Sequence, residues 1–94
     1  MVTHPRDDRL VSDFLEMMAA ERGASRHTLD AYRRDLDDYS ASLQAAKTSL
    51  SQAQPDDVRR YLGELADAGL AARTQARRLS AVRQFHKFIY GDGI

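Results

Sequence analysis

Hydrogen-bond donors recur at helical spacing near the end of the sequence. They stand four, three, four and three residues apart, at Arg73, Arg77, Ser80, Gln84 and Lys87. At about 100° per residue, this spacing places all five on one side of a helix. Cations with interleaved neutral donors suit a groove lined by phosphates, where the neutral groups can reach base edges. The alternative interpretation is an ordinary solvated helix face.

A second candidate site is the start of an earlier helix, at Ser25-Arg26-His27-Thr28. A helix N-terminus presents free N–H groups and a partial positive charge, which together can bind an anion. Arg26, His27 and Thr28 could each add a hydrogen bond to a phosphate there. The same residues also fit a purely structural role, in which Ser25 is the N-cap and Thr28 its partner in the first turn.

The titratable residues form no recognisable catalytic constellation. The histidines, His4, His27 and His86, are scattered, and none is spaced with a second ligand as in a metal site. His86 lies on the apolar side of its predicted helix, which indicates a hydrogen-bonded core residue. The acidic pairs consist of neighbours in the sequence, which point in different directions on a helix. We therefore expect this chain to hold no catalytic residue, no metal and no cofactor, and to have no enzymatic activity.

Composition predicts one folded domain that carries its charges unevenly. The 94 residues are 43% apolar, enough for a single modest core. No cysteine is present, which suits a reducing cytoplasm, and no apolar window is long enough to span a bilayer. The net charge is zero, yet residues 71–90 contain five cations and no acid. Such a distribution can steer a phosphate-bearing partner to one face.

The apolar periodicity is helical throughout and predicts an all-α fold with residues from about 9 to 90 structured. The first helix is predicted from Asp8 to Arg22, with Asp7 or Asp8 as its cap and Gly23 at its end. The second opens at Ser25. The predicted inward residues of these two helices are Val11, Phe14, Leu15 and Met18, then Leu29, Tyr32, Leu36, Tyr39 and Leu43.

Two further helices complete a predicted four-helix bundle of orthogonal and antiparallel helices. A loop with Leu50 turned inward leads to Pro55, which suits the first position of the third helix. Gly69 and Leu70 predict a Schellman-type end to that helix. The fourth helix is predicted from Ala72 to Tyr90, with Gly91 and Gly93 ending it. Its predicted inward side consists of Leu79, Val82, His86 and Ile89, flanked by Ala72 and Phe85.

Two blocks of sequence resemble a known family. Residues 25–36, Ser-Arg-His-Thr-Leu-Asp-Ala-Tyr-Arg-Arg-Asp-Leu, are similar to the S-x-x-T-L-x-x-Y-x-x-D-L signature of the core-binding domain of tyrosine recombinases and phage integrases. Residues 78–90 resemble the last helix of that domain, in the form that it takes in the XerD branch of the XerC/XerD-type recombinases. Residues 54–58 also resemble the start of its third helix. The order and spacing of these blocks agree with the family over residues 9–94.

This resemblance implies a SAM-like four-helix bundle that forms one half of a clamp around duplex DNA. The other half of such a recombinase is a catalytic domain that cleaves and rejoins DNA through a phosphotyrosine link, and we expect it to be absent from this chain. In XerC/XerD systems the reaction resolves chromosome dimers at a dif-type site. The implied partners are therefore double-stranded DNA and a second, XerC-like recombinase subunit in a tetramer.

The family places its second and fourth helices against the major groove, and by that correspondence ten residues become candidate DNA contacts. They are Ser25, Arg26, Thr28 and Arg34 on the second helix, and Arg73, Thr74, Arg77, Ser80, Arg83 and Lys87 on the fourth. Other functions stay open at this point. The chain could be a helical protein–protein adaptor, the arm of a phage or transposon integrase, or a small regulator with a helix-turn-helix.

Overall fold

The computed structural model describes residues 5–91, which form four α-helices and, within that range, no strand. The helices are α1 (Pro5–Arg22), α2 (Arg26–Ala45), α3 (Pro55–Asp67) and α4 (Ala72–Tyr90). The predicted all-α fold is confirmed, as are the predicted starts of the last three helices. Gly93, predicted to help end α4, lies outside the described residues. Within residues 5–91, no helix combines the length and the apolar character needed to cross a membrane.

The start of α1 differs from the prediction. The helix begins at Pro5, three residues before Asp8, and proline is favoured in a first turn because it has no N–H to leave unpaired. Asp7 is fully buried and does not cap the helix. Its Oδ2 atom accepts hydrogen bonds from the backbone N–H of Leu50 at 3.1 Å and from the hydroxyl of Ser40 at 3.2 Å. Asp7 therefore ties α1 to α2 and to the loop between α2 and α3.

Local signals in the sequence set three further helix ends. Ser25 is the N-cap of α2 and accepts a hydrogen bond from the backbone N–H of Thr28 at 3.2 Å. Pro55 opens α3, where the Asp57 side chain accepts from the Gln54 N–H at 2.8 Å. That bond, with a second one from Arg60, lowers the pKa of Asp57. Gly69 follows α3 with a positive φ of 72°, a conformation that glycine adopts without strain.

The core lies where all four helices meet. The predicted inward residues of α1 are all buried. Of the predicted α2 stripe, the last three residues are fully buried and the first two, Leu29 and Tyr32, are partly buried. Leu50 is also fully buried, as predicted, so the α2–α3 loop closes one end of the core. The aromatic centre of the core includes Phe14 and Phe85, whose rings meet edge to face with centroids 5.7 Å apart. The apolar stripes thus pack as a single core.

The buried side of α4 is rotated from the predicted one. Ala81 and Phe85 are fully buried, whereas Leu79 is only partly buried and Ala72 is exposed. Leu79 instead lines an open groove between α3 and α4. Periodicity defined the apolar arc of α4, but packing against α1 and α2 selected which part of that arc is covered.

His86 is a core residue, as its position predicted. It is 2% exposed, and its Nε2 atom is hydrogen bonded to the hydroxyl of Tyr39 at 2.8 Å. Desolvation lowers the pKa of His86, because the charged imidazolium is disfavoured in this apolar environment. Burial likewise raises the pKa of the Tyr39 hydroxyl. Both groups are therefore neutral near pH 7.

Acidification should destabilise the fold through His86. In the unfolded chain the imidazole takes up a proton as the pH falls through about 6.5, whereas the folded chain resists protonation until a lower pH. The unfolded state thus binds more protons in this interval, and stability is lost as the pH falls. Between pH 7 and pH 5.5 we expect the free energy of unfolding to drop by up to about 1 kcal/mol. Urea denaturation at each pH measures this free energy of unfolding.

The substitution His86→Gln should flatten this pH dependence, because glutamine does not titrate. The exposed His27 provides the control, and His27→Gln should leave the decline as it is in the wild type. A decline that survives His86→Gln would assign the effect to another group.

Candidate nucleic-acid interface

A line of polar side chains runs along the outer side of α4. Arg73, Arg83 and Lys87 are exposed, and Ser80 is partly buried between them. From Arg73 to Lys87 this line is about 21 Å long, at a rise of about 1.5 Å per residue. No hydrogen bond or ion pair joins Arg73 or Arg83 to another residue of the described range 5–91. We call these four residues the α4 surface, and its cations can meet an extended anion.

Arg77 does not belong to that outer line, although its spacing predicted it. Its Nε and Nη2 atoms donate to Oδ2 and Oδ1 of Asp35 at 2.9 and 2.8 Å. The Asp35 side chain is 1% exposed, whereas that of Arg77 is 43% exposed. Arg77 therefore lies over the seam between α4 and α2 and keeps part of its side chain in solvent. Loss of Arg77 would leave a buried carboxylate without its main partner, so Arg77 has a structural role that its spacing did not predict.

Gln84 is also engaged within the fold. Its Nε2 atom donates to Ser80 Oγ at 2.8 Å and to the Tyr32 hydroxyl at 3.2 Å, while its Oε1 atom accepts from Arg22. Both amide hydrogens and the amide oxygen are thus used. The hypothesis that Gln84 can reach base edges does not fit this arrangement. Ser80 accepts the bond from Gln84 and keeps its own hydroxyl hydrogen for a ligand.

The positive charge of α4 is likewise divided between two sides. Arg78 turns toward α2, where Nη1 lies 2.7 Å from Asp38 Oδ2 and Nε lies 3.7 Å from Asp35 Oδ1. Two of the five cations of residues 71–90 are therefore paired with acids of α2. The outward charge of α4 rests on the other three.

The start of α2 combines capping with exposed donors. The Ser25 hydroxyl donates to Thr28 Oγ1 at 3.1 Å, and Thr28 is left with its own hydroxyl hydrogen. Ser25 and Arg26 are exposed, and Thr28 is partly buried. The structural role of Ser25 is thus confirmed, and phosphate contact by these three residues stays a prediction.

Two candidate residues lie apart from these groups. Arg34 is exposed on α2, and Asp30, Asp37 and Asp38 stand three or four residues from it, which offsets its charge. Thr74 is partly buried and lies, by helical spacing, above the buried Ala81. Neither residue adds to the α4 surface.

The polar residues of the family-like block on α2 have structural partners that sequence reasoning missed. Tyr32 receives the Gln84 bond and Asp35 holds Arg77, so both join α2 to α4. Thr28, Tyr32 and Asp35 follow one another at spacings of four and three residues, so they lie on the same side of α2. This spacing was the signal in the sequence that could have indicated that Tyr32 and Asp35 contact the same neighbouring helix. Within the described part of the chain, no group of His, Asp or Glu residues is arranged to hold a metal ion.

Comparisons with known proteins agree with this architecture. The family described as phage integrase, N-terminal SAM-like domain, matches residues 11–93. Among curated proteins, the chain is 54% identical over 84 residues to the tyrosine recombinase XerD of Rhizobium meliloti, covering 89% of this chain and 27% of that protein. It is 48% identical over 89 residues to the XerD of Agrobacterium fabrum, covering 95% of this chain and 27% of the relative.

A third relative, the XerD of Bradyrhizobium diazoefficiens, is 43% identical over all 94 residues, which make up 30% of its length. The chain thus spans between a quarter and a third of the curated relatives that it matches. No solved structure matches it significantly.

Proposed function

Because the chain belongs to the family of phage integrase N-terminal SAM-like domains, we propose that it binds duplex DNA as the non-catalytic part of a site-specific tyrosine recombinase. The relatives that support this proposal are named tyrosine recombinases. The family model that matches this chain describes an N-terminal domain of phage integrases. The cleavage chemistry then belongs to the remainder of such a protein.

The observation that carries the proposal is the α4 surface. Arg73 and Arg83 are exposed and pair with no other described residue, and Lys87 extends the line by one more turn. Phosphate contacts require exposed cations along an extended path, and Ser80 adds a neutral donor at the middle of that path. The exposed donors at the start of α2, Ser25 and Arg26, offer a second group of contacts. Of the remaining candidates, Thr28 and Arg77 are proposed as flanking contacts, and Arg34 and Thr74 as peripheral ones.

The likeness to XerD supports a finer proposal. The parent recombinase acts in the cytoplasm at a dif-type site and resolves chromosome dimers. It assembles there with a second, XerC-like subunit into a tetramer on the DNA. The SAM-like domain contributes one half of the clamp around the duplex.

Removing the α4 surface should weaken DNA binding without unfolding the chain. We expect the 94-residue chain to bind a duplex weakly, with a Kd in the range of about 10⁻⁴ to 10⁻⁶ M at physiological salt. The triple variant Arg73→Ala, Arg83→Ala, Lys87→Ala should bind at least tenfold more weakly, a loss of about 1.4 kcal/mol. For every phosphate that the variant no longer binds, the slope of the log–log salt dependence should flatten by about 0.9. Fluorescence anisotropy of a labelled duplex across a salt series measures both quantities.

A charge-matched control separates a specific surface from general attraction. The triple variant Arg9→Ala, Lys47→Ala, Arg59→Ala removes the same charge from exposed positions on α1, the α2–α3 loop and α3. It should lose much less affinity. Equal losses in the two triple variants would contradict the α4 surface as the binding site, and so would unchanged binding in the first variant.

A second function has one observation in its favour. The open groove between α3 and α4 has a volume of about 570 Å³. Its lining includes the apolar residues Val58, Leu62 and Leu79 and the cations Arg59 and Arg83. An acidic amphipathic helix fits such a groove, as expected of a protein–protein adaptor. If Arg73→Ala alone causes a loss of DNA binding, the result would favour the DNA-binding function over the adaptor function, because Arg73 does not line this groove. Insensitivity to Arg73→Ala, with binding of an acidic helical peptide, would favour the adaptor.

A further inference from the structure

Asp35 is the most deeply buried charge at the seam between α2 and α4. Its side chain is 1% exposed and faces two arginines of α4, with two hydrogen bonds from Arg77 and with Arg78 Nε at 3.7 Å. Building on the proposed function, we propose that Asp35 is a positioning residue, which holds the Arg77 guanidinium so that its outer edge meets a phosphate of duplex DNA.

The geometry of the pair leaves Arg77 able to bind a second anion. The side-on contact with Asp35 uses Nε–H and one hydrogen of Nη2. Of the five N–H groups of a guanidinium, three remain, two on Nη1 and one on Nη2. The Arg77 side chain is 43% exposed, and we infer that the exposed part includes this free edge, which lies opposite the buried Asp35. Because Arg77 stands one turn after Arg73 and one turn before Ser80, a phosphate bound there lies next to the α4 surface.

Holding the guanidinium in advance lowers the entropic cost of binding. A free arginine side chain samples many rotamers, and part of this rotamer entropy is lost on binding a ligand. In this fold much of that loss occurs on folding, when the two hydrogen bonds to Asp35 form. A guanidinium fixed in this way acts as a preorganised donor.

Because Asp35 is negatively charged, its removal changes DNA affinity in opposite directions under the positioning model and under general electrostatics. Asp35 offsets the long-range attraction of Arg77 for DNA, so Arg77 contributes through directed hydrogen bonds more than through net charge. Removal of Asp35 raises the net charge by one unit, and general electrostatics then predicts tighter DNA binding. Loss of the positioning contact predicts weaker binding. The two effects therefore have opposite signs.

The test compares Asp35→Asn with Asp37→Asn in the 94-residue chain. Both variants remove one negative charge from α2, but the exposed Asp37 has no hydrogen bond to an arginine of α4 in the described structure. We expect Asp35→Asn to weaken binding to a labelled duplex about fivefold, and Asp37→Asn to leave it unchanged or slightly tighter. Measurements are made well below the melting temperature of each variant, with the helical circular dichroism signal as the check on folding.

Arg77→Lys provides a second route that leaves Asp35 in place. Lysine keeps the positive charge but lacks the planar fork, so this variant should also lose about fivefold in affinity. In the Asp35→Asn background, Arg77→Lys should cost little more, because the two substitutions remove the same contact. If Asp35→Asn does not fold, the comparison of Arg77→Lys with the conservative Arg73→Lys decides instead, and Arg77 should show the larger loss.

The possible outcomes separate this inference from the proposed function. If Asp35→Asn binds as tightly as Asp37→Asn and Arg77→Lys binds as the wild type, Asp35 and Arg77 form a purely structural ion pair. The inference then fails, while the α4 surface can still pass its own test. If the wild-type chain shows no binding that depends on Arg73, Arg83 and Lys87, both proposals fail.

Discussion

Phe85→Ala is expected to lower the free energy of unfolding by about 3–5 kcal/mol, the usual cost of emptying an aromatic core site. Phe85 is fully buried, and its ring packs edge to face against Phe14 and close to His86. The substitution removes the packing of Phe85 against α1 and opens a cavity between α1 and α4 that rigid helices cannot close. Equilibrium urea denaturation followed by circular dichroism measures the loss.

Phe88 supplies the control on the same helix. Its ring also lies 5.7 Å from Phe14, but the residue is 37% exposed. Phe88→Ala should therefore cost about 1 kcal/mol, since much of its surface stays in water before and after the change. A loss below about 1 kcal/mol for Phe85→Ala, or equal losses for the two variants, would contradict the assignment of Phe85 to the core.

Asp7→Ala should destabilise the chain by about 2–3 kcal/mol, whereas Asp8→Ala should change its stability by less than about 0.5 kcal/mol. Asp7 is fully buried and is the acceptor for the Leu50 N–H and the Ser40 hydroxyl, both of which are buried as well. The alanine variant leaves these two donors without a partner in the protein. Asp8 is exposed, and its ion pair with Arg33, at 3.5 Å, lies in solvent.

A third variant separates hydrogen bonding from charge at this position. Asp7→Asn keeps an acceptor oxygen of the same shape, and it should recover part of the stability that Asp7→Ala loses. Thermal unfolding of the three variants under one buffer condition gives the comparison. Equal stability of Asp7→Ala and Asp8→Ala would show that the Asp7 bonds do not anchor α1.

Much of the fold could be predicted from the sequence because its signals act over a few residues. Ser25 caps α2, Pro55 opens α3 and Gly69 ends it, each through hydrogen bonds or dihedral preferences within one turn. Apolar spacing predicted the inward face of α1 and the approximate apolar arc of α4, since that spacing depends only on the helical repeat. The α4 cations could be predicted in the same way, from residues three and four apart.

The tertiary structure alone decided which of those cations can meet a partner. Arg73 and Arg77 have the same residue type and stand four apart on one helix, yet Arg73 is unpaired within residues 5–91 and Arg77 is bound to Asp35, 42 positions away in the sequence. The neighbours Asp7 and Asp8 differ in the same way, since Asp7 is buried and holds α1 to the rest of the fold whereas Asp8 is exposed to solvent. Helical periodicity leaves each helix free to rotate by some tens of degrees about its axis. Only the packing among helices selects that rotation, and with it the side chains that turn toward a neighbouring helix or toward solvent.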